Sequence, residues 1–246
     1  LQGHIPMLLH PDARQVLQVG FGSGETAHII TTYDNVERLD LVDISQSVLD
    51  TSAKYFRDIN RDVVKHPKFH PTIMDGANYL RLTKKKYDVI MNDSIWPFYA
   101  GNSGLYTRDY FQAGKERLNP GGIMTSWLPV EIAPEDFEIL INTFHSVFPH
   151  VSVWIAMTHY NKHALLVGSD KKIEIDMPTF LTRFERYARN DLRLIKLDNP
   201  INLLDSFKMD ESGFAQAVVR GPIHTENDPI LEFSYSRGKP AGNEFR

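Results

Sequence analysis

Hydrophobic positions along this chain gather into short runs, each followed by a stretch in which they recur at helical spacing. Such alternation is the mark of β–α–β units and a parallel sheet. Gln15–Val19 reads as the first strand, with a helix after Gly24 reaching about Thr31. Leu39–Val42 reads as the second strand, ending in Asp43, and Ser45 suits the N-cap of a helix running to about Asn60. Phe69–Met74 is a third strand stopping at Asp75 and Gly76, and Tyr87–Asn92 a fourth stopping at Asp93. Thr107–Leu118 follows as a helix, and Asn119-Pro-Gly-Gly122 as a turn into a fifth strand, Ile123–Trp127. Pro134 opens a helix to about Phe148. Val151–Ile155 and Ala164–Gly168 flank the polar stretch 158–163 as a hairpin.

The expected architecture is therefore α/β: an open, doubly wound, mostly parallel sheet of seven strands. Residues 1–170 form the expected nucleotide-binding core, and 171–246 read as a helical, then loop-rich extension packed on the same domain. A chain of 246 residues is long enough for one large α/β domain with a full core.

Composition narrows the function classes. The net charge of −4 gives no support for nucleic-acid binding, which needs a clustered basic surface. Lys84-Lys85-Lys86, the one basic run, reads as a solvated turn before a strand. Without cysteine there is no disulfide, thiolate metal site or cysteine nucleophile. No apolar run approaches the roughly 20 residues that span a bilayer, so a soluble, cytoplasmic domain is expected. The sequence opens on Leu1 with residues that already read as the entry to a core, as a piece of a longer protein would.

The chemistry gathers at the strand ends. In Val16-Leu-Gln-Val-Gly-Phe-Gly-Ser-Gly24 a strand runs into a glycine-rich turn and a helix, and Asp43 stands nineteen residues past the last glycine. That layout suits an adenosine-containing ligand. Gly20, Gly22 and Gly24 let the backbone turn sharply beside the ligand, and the Asp43 carboxylate can accept from both ribose hydroxyls. Asp75 and Asp93 lie at the same edge, where open α/β sheets bind ligands. Asp75 is placed to accept from an adenine amino group, and Asp93 to meet the reacting end. Each acid alone suits a helix cap or turn; three together beside the glycine turn point to a site. The Gly-x-Gly-x-Gly spacing, with Glu25 and Thr26 after it, differs from the nicotinamide fingerprint. It points instead to the S-adenosylmethionine-dependent methyltransferase (Rossmann-like) fold.

At this level of detail the chain resembles the spermidine/spermine synthase (aminopropyltransferase) family. The resemblance rests on Gly3-His-Ile-Pro-Met-Leu-Leu-His-Pro11, Val16–Gly24, Leu41–Ile44, Tyr87-Asp-Val-Ile-Met-Asn-Asp-Ser94, Leu105-Tyr106 and Leu118-Asn-Pro-Gly-Gly-Ile123. Gly20–Ala27, Trp96-Pro97, Trp127-Leu-Pro129 and the late block Thr225–Phe233 are similar to bacterial spermidine-synthase-like domains, often fused to a multi-pass membrane region. The resemblance implies decarboxylated S-adenosylmethionine as co-substrate, a small-molecule amine as acceptor, methylthioadenosine as by-product and no metal. A homodimer and a covalent membrane fusion outside this chain are compatible with it.

On the same resemblance, Asp93 takes the catalytic acid position. Gly20, Gly22, Ser23, Gly24, Asp43, Ile44, Asp75 and Gly76, together with Asp93 itself, bind the nucleotide co-substrate. The loop 94–104 is the lid, with Ser94, Trp96, Tyr99 and Tyr106 toward the amine beside His4. Rings in that loop, Phe98 among them, serve equally as ordinary packing. Two positions depart from the family pattern. Its glycine turn carries an acid where this chain has Ser23, and its Asp-x-x-Asp-Pro lid carries a second acid where this chain has Trp96. Each lost charge-assisted hydrogen bond is worth roughly 1.5–3 kcal/mol, so putrescine itself is a poor fit.

Two other readings stand beside it: a methyltransferase using intact S-adenosylmethionine, and a catalytically silent ligand-sensing domain of a membrane protein. His159 with His163, and His66 with His70, are spaced four apart without helical context, so neither pair reads as a metal site. Ser94 and Ser126 lack the partners of a hydrolase triad.

Overall fold

Five parallel strands carry the molecule: β1 Gln15–Val19, β2 Arg38–Asp43, β3 Phe69–Ile73, β4 Tyr87–Asn92 and β5 Leu118–Pro129. The computed structural model describes residues 1–99, 101–158, 161–210, 213 and 221–234. Antiparallel strands β6 His150–Thr158, β7 Asn161–Ser169 and β8 Phe207–Met209 extend the sheet, whose order is β3-β2-β1-β4-β5-β7-β6-β8. Successive strands are added outward from β1 in one direction through β2 and β3 and in the other through β4 and β5, which makes the edge at β1/β4 a topological switch point.

Alternation along the strands sends side chains to two cores. Val16 joins Ile30, Leu39, Leu41 and Phe180 on one face, whereas Leu17 and Val19 join Ile90, Phe111 and Phe144 on the other. Helices α1 His4–Leu9, α2 Glu25–Thr32 and α3 Gln46–Tyr55 cover the first face, with the short α4 Arg57–Asn60 after them. Helices α5 Gly76–Leu82, α6 Arg108–Lys115 and α7 Pro134–His145 cover the second. The C-terminal α8 Met177–Arg183, α9 Arg189–Leu192 and α10 Pro200–Leu204, with the π-helical turn Phe184–Ala188 between the first two, bring Phe180, Phe184, Leu192 and Leu203 onto the first core.

Several sequence expectations need correction. The sheet has eight strands rather than seven, because β8 adds three residues on the outer edge of β6. So short a strand carries too little alternation to be read from sequence. The helix expected from Ser45 to Asn60 breaks at Phe56, and the Ser45 hydroxyl bonds Ser47 rather than capping. Asn119–Gly122 is no separate turn. It lies within β5, and the register slips between Tyr87 and Val89 to absorb it, with Gly121 at φ 82°. Lys85 is more than solvated turn: its ammonium reaches buried Asp40 in β2 at 2.8 Å. The hairpin tip at 159–160, including His159, lies outside the described residues, as does residue 100 in the expected lid.

Candidate active site

The carboxyl ends of β1 and β4 come together at Gly20 and Asp93. Gly20 has φ 96°, and a Cβ there would stand 2.3 Å from the Asp93 carbonyl oxygen. Only glycine permits both the left-handed backbone and this approach. The Gly20 amide donates to the Val42 carbonyl and the Asp93 amide to that of Val19, so the strands stay paired up to the turn. Gly24, at φ 83°, lies against Phe21 and Asn60 as α2 begins.

The three acids play different local parts. Asp43, at the end of β2, accepts the Phe21 amide at Oδ2 and the Ser45 amide at Oδ1, each at 2.9 Å. Each carboxylate oxygen keeps a lone pair for a further donor. Asp75 caps α5, accepting the Asn78 amide at 2.8 Å. Next to it Gly76 is buried against Val19 and Leu105, where a Cβ would stand 2.5 Å from the Val19 Cγ1. Ile44 is exposed beside Asp43 and offers an apolar surface at the same edge.

Asp93 is the acid most changed by its surroundings. Burial pushes its carboxyl up to about 6, against hydrogen bonds from Thr26 and Gln18 that pull it down. The Gln18 amide nitrogen stands 3.1 Å from Oδ2. Gln2 joins them: with its amide turned so that the nitrogen faces the carboxylate, it donates to Asp93 and its oxygen accepts from the Trp127 indole at 3.0 Å. Gln18, Thr26 and Trp127 lie in motifs read from the sequence, yet none of them, nor Gln2, reads there as a site residue. A glutamine inside an otherwise apolar strand was the available signal for one of them.

Asp93 opens onto a cavity of about 590 Å³ that also takes in Gly22, Ser23, Ser94, Trp96 and His4. Its acids are Glu25, Asp93 and Asp191, and its described lining includes no lysine or arginine. Its histidines add no charge at neutral pH: burial lowers His4, and burial takes His163 down to about 4. Ile29, Trp96, Trp127, Leu194 and Ile195 add apolar wall beside the neutral polar Gln2, Ser23, Thr26 and Ser94. A negative site with aromatic and aliphatic walls suits an organic cation. Asp191, from the C-terminal α9, is a contributor with no short motif to announce it.

Other expected residues fall elsewhere. Gly20, Gly24, Asp43, Ile44, Asp75 and Gly76 line the strand edge outside this cavity. Tyr106 is fully buried, its hydroxyl donating to the Ile95 carbonyl at 3.0 Å and accepting from Ser94 at 3.1 Å, so it holds the loop from beneath. Tyr99 is exposed and outside the cavity lining. Trp96 packs against Phe98 at 6.4 Å between ring centroids. Both His4 nitrogens are engaged, Nδ1 with the Tyr33 hydroxyl at 2.9 Å and Nε2 with Asp191 at 3.3 Å. The late block and the residue before it act as a tether: His224 donates its amide to the Thr143 hydroxyl at 2.9 Å, and Glu226 its amide to Asp109 at 3.0 Å. No described helix is long and apolar enough to cross a membrane.

Comparison with known proteins adds an independent line. The family model described as the spermine/spermidine synthase domain matches residues 2–176. A polyamine aminopropyltransferase of Escherichia fergusonii is 33% identical over 149 residues, which is 58% of this chain and 51% of that protein. The chain thus spans about half the length of that relative. Among solved structures, a spermidine synthase in complex with the transition state analogue AdoDATO superposes with a TM-score of 0.73 at 23% identity, over 87% of this chain and 72% of that one. Human methyltransferase-like protein 13 in complex with SAH superposes at 0.55 and 17% identity, over 76% of this chain and 86% of that one. Both structural likenesses concern the fold, which is the expected mostly parallel methyltransferase-type sheet.

Proposed function

The chain belongs to the spermine/spermidine synthase family, and from that membership we propose that it transfers an aminopropyl group from decarboxylated S-adenosylmethionine to a small amine. The observation that carries this reading is the half-buried Asp93 carboxylate, set against the glycine turn and facing a cavity whose acidic side chains are Glu25, Asp93 and Asp191. Asp43 accepts the ribose hydroxyls and Asp75 with Gly76 receives the adenine. The sulfonium end then reaches toward Asp93, along Gly22 and Ser23.

In the transfer, the amine nitrogen attacks the carbon bound to sulfur. The carbon–sulfur bond breaks with its electron pair going to sulfur, and neutral methylthioadenosine leaves without acid assistance. The acceptor amine is protonated in water, with a pKa on the order of 10, and must lose a proton to become and remain a nucleophile. Asp93 accepts that proton before the nitrogen–carbon bond forms, which frees the lone pair that attacks. A carboxyl raised to about 6 is a stronger base than an ordinary one and still ionised at neutral pH.

The same lining favours the decarboxylated donor over the intact one. Intact S-adenosylmethionine brings a carboxylate, which Glu25, Asp93 and Asp191 would repel with no cationic side chain in the lining to receive it. This outweighs Ser23, whose neutrality at the turn favours the methyltransferase alternative. A cytoplasmic setting belongs to the same proposal.

Mass spectrometry of reactions containing either donor and a panel of mono-, di- and polyamines tests the reading. Release of methylthioadenosine with a product heavier by one aminopropyl group is expected. Release of S-adenosylhomocysteine would establish the methyltransferase instead, and donor binding without turnover would leave a sensing domain.

A further inference from the structure

Gln18 stands in β1 between Leu17 and Val19, and like them it is buried. Its amide nitrogen donates to two acceptors: the Gly20 carbonyl at 2.8 Å and Asp93 Oδ2 at 3.1 Å. Its amide oxygen is buried with no partner among the described residues. A buried amide with an unpaired oxygen lowers stability, and an apolar side chain of similar size would remove that penalty. The polar residue therefore has to be explained by what its nitrogen does.

An NH₂ group has two hydrogens, and here each has its own acceptor. The bond to the Gly20 carbonyl fixes the amide plane, because Gly20 is itself held by its left-handed backbone and its bond to Val42. The second hydrogen is then aimed at the acid. One nitrogen thus joins the turn that faces the nucleotide to the carboxylate that faces the amine. The close contact between Gly20 and the Asp93 backbone brings the two within reach of a single side chain.

We propose that Gln18 is a positioning residue, clamping the Asp93 carboxylate to the glycine turn so that the nucleotide-facing backbone and the base share one fixed geometry. The proposal rests on the reading of Asp93 as the proton acceptor. Its consequence is that Gln18 sets the orientation and basicity of Asp93 without touching either substrate.

The experiment compares the wild type with Gln18→Leu and Gln18→Met, two apolar substitutions of similar size. The second keeps an unbranched chain in case the first fails to fold. Three readouts are taken: methylthioadenosine binding, the pH profile of kcat, and the Asp93 carboxyl titration by ¹³C NMR, assigned with Asp93→Asn. Expected are unchanged or higher thermal stability, methylthioadenosine affinity within about threefold, and kcat at neutral pH lower by about tenfold or more, as a mispositioned base gives. The Asp93 titration midpoint should move upward with the acid limb of the profile, since a donor to the charged form has been removed. An unchanged kcat with an unchanged Asp93 midpoint would overturn the proposal, and so would a loss confined to KM for the donor. Should the wild type transfer no aminopropyl group to any amine, the functional reading fails. The carboxyl titration then still decides the clamp.

Discussion

The backbone amide of Phe21 donates to Asp43 Oδ2 at 2.9 Å, so the acid proposed to hold the ribose also pins the middle of the glycine turn. With the Ser45 amide on Oδ1, the carboxylate spans the ends of two neighbouring strands. Its two duties cannot be separated by substitution. Asp43→Ala removes the acceptor of the ribose hydroxyls and frees the turn that the nucleotide packs on. Charge-assisted hydrogen bonds are worth about 1.5–3 kcal/mol, so methylthioadenosine affinity should fall about 10- to 100-fold. Isothermal titration calorimetry measures this directly, and affinity kept within twofold would remove Asp43 from the nucleotide site.

Asp93 makes a prediction in two directions at once. As the base it must be ionised, so kcat/KM should rise with pH through a midpoint near 6, the level to which burial takes this carboxyl. Asp93→Asn should cost about 10²- to 10⁴-fold in kcat while leaving methylthioadenosine binding intact. For stability the sign is opposite. A carboxyl raised in the fold favours the native state below its unfolded value near 3.9, and that contribution is lost as pH rises toward 6. At neutral pH the ionised, half-buried Asp93 therefore destabilises the fold, by about 1–3 kcal/mol on the scale of 1.36 kcal/mol per pH unit. Asp93→Asn should melt higher than wild type at pH 7 and lose that advantage near pH 4. Calorimetric scans at the two pH values check it, and an equal or lower melting temperature at pH 7 would contradict the burial argument.

How legible all this was depends on how local each signal is. The strands β1, β2 and β4, the glycine turn and the acids at their ends are contiguous in sequence, and periodicity with turn chemistry placed them within a residue or two. Gln2, Gln18 and Thr26 converge on Asp93, with Trp127 behind Gln2, and although two of them flank the glycine turn, nothing in the sequence says that they meet this acid. Their convergence is a product of the switch-point topology. Tyr106 misled for the converse reason: an aromatic residue near a lid motif reads as a ligand contact, whereas here its hydroxyl satisfies the backbone of Ile95 from inside the core. Phe56 ended a helix early although its side chain breaks no propensity rule. Tertiary placement of Asn60, which bonds the carbonyls of Ser23 and Ser52, dominates there.

Gly20→Ala tests the strand-end contact by itself. The new Cβ would meet the Asp93 carbonyl at 2.3 Å, a backbone atom that can move only if the end of β4 moves. The substitution also forces a left-handed backbone on alanine at φ 96°, a strain of about 1–3 kcal/mol. Thermal stability should drop accordingly, and activity should fall further than stability alone explains, because Asp93 is displaced with its backbone. Circular dichroism melting and initial rates check the pair. Full activity in a folded Gly20→Ala protein would show that the two strand ends need not touch.

Asp40 offers a test of the fold away from the cleft. It is 2% exposed in β2, yet its carboxyl is held below the usual range. Burial alone would raise it, and the bonds from Arg38, Lys85 and Tyr87, each at 2.8 Å, overcome that cost. Replacing one partner of a fully buried pair costs about 3–5 kcal/mol. Arg38 and Lys85 are 36% and 48% exposed and can turn back to water, so Asp40→Asn should cost less, about 2 kcal/mol. A carboxyl lowered by folding stabilises the native state above its unfolded value near 3.9, and this support is lost as pH falls through the folded value. The stability gap between wild type and Asp40→Asn should thus be full at pH 6 and shrink progressively below pH 4. Urea unfolding across that range measures it, and a gap independent of pH would mean that the charge on Asp40 contributes nothing to the fold.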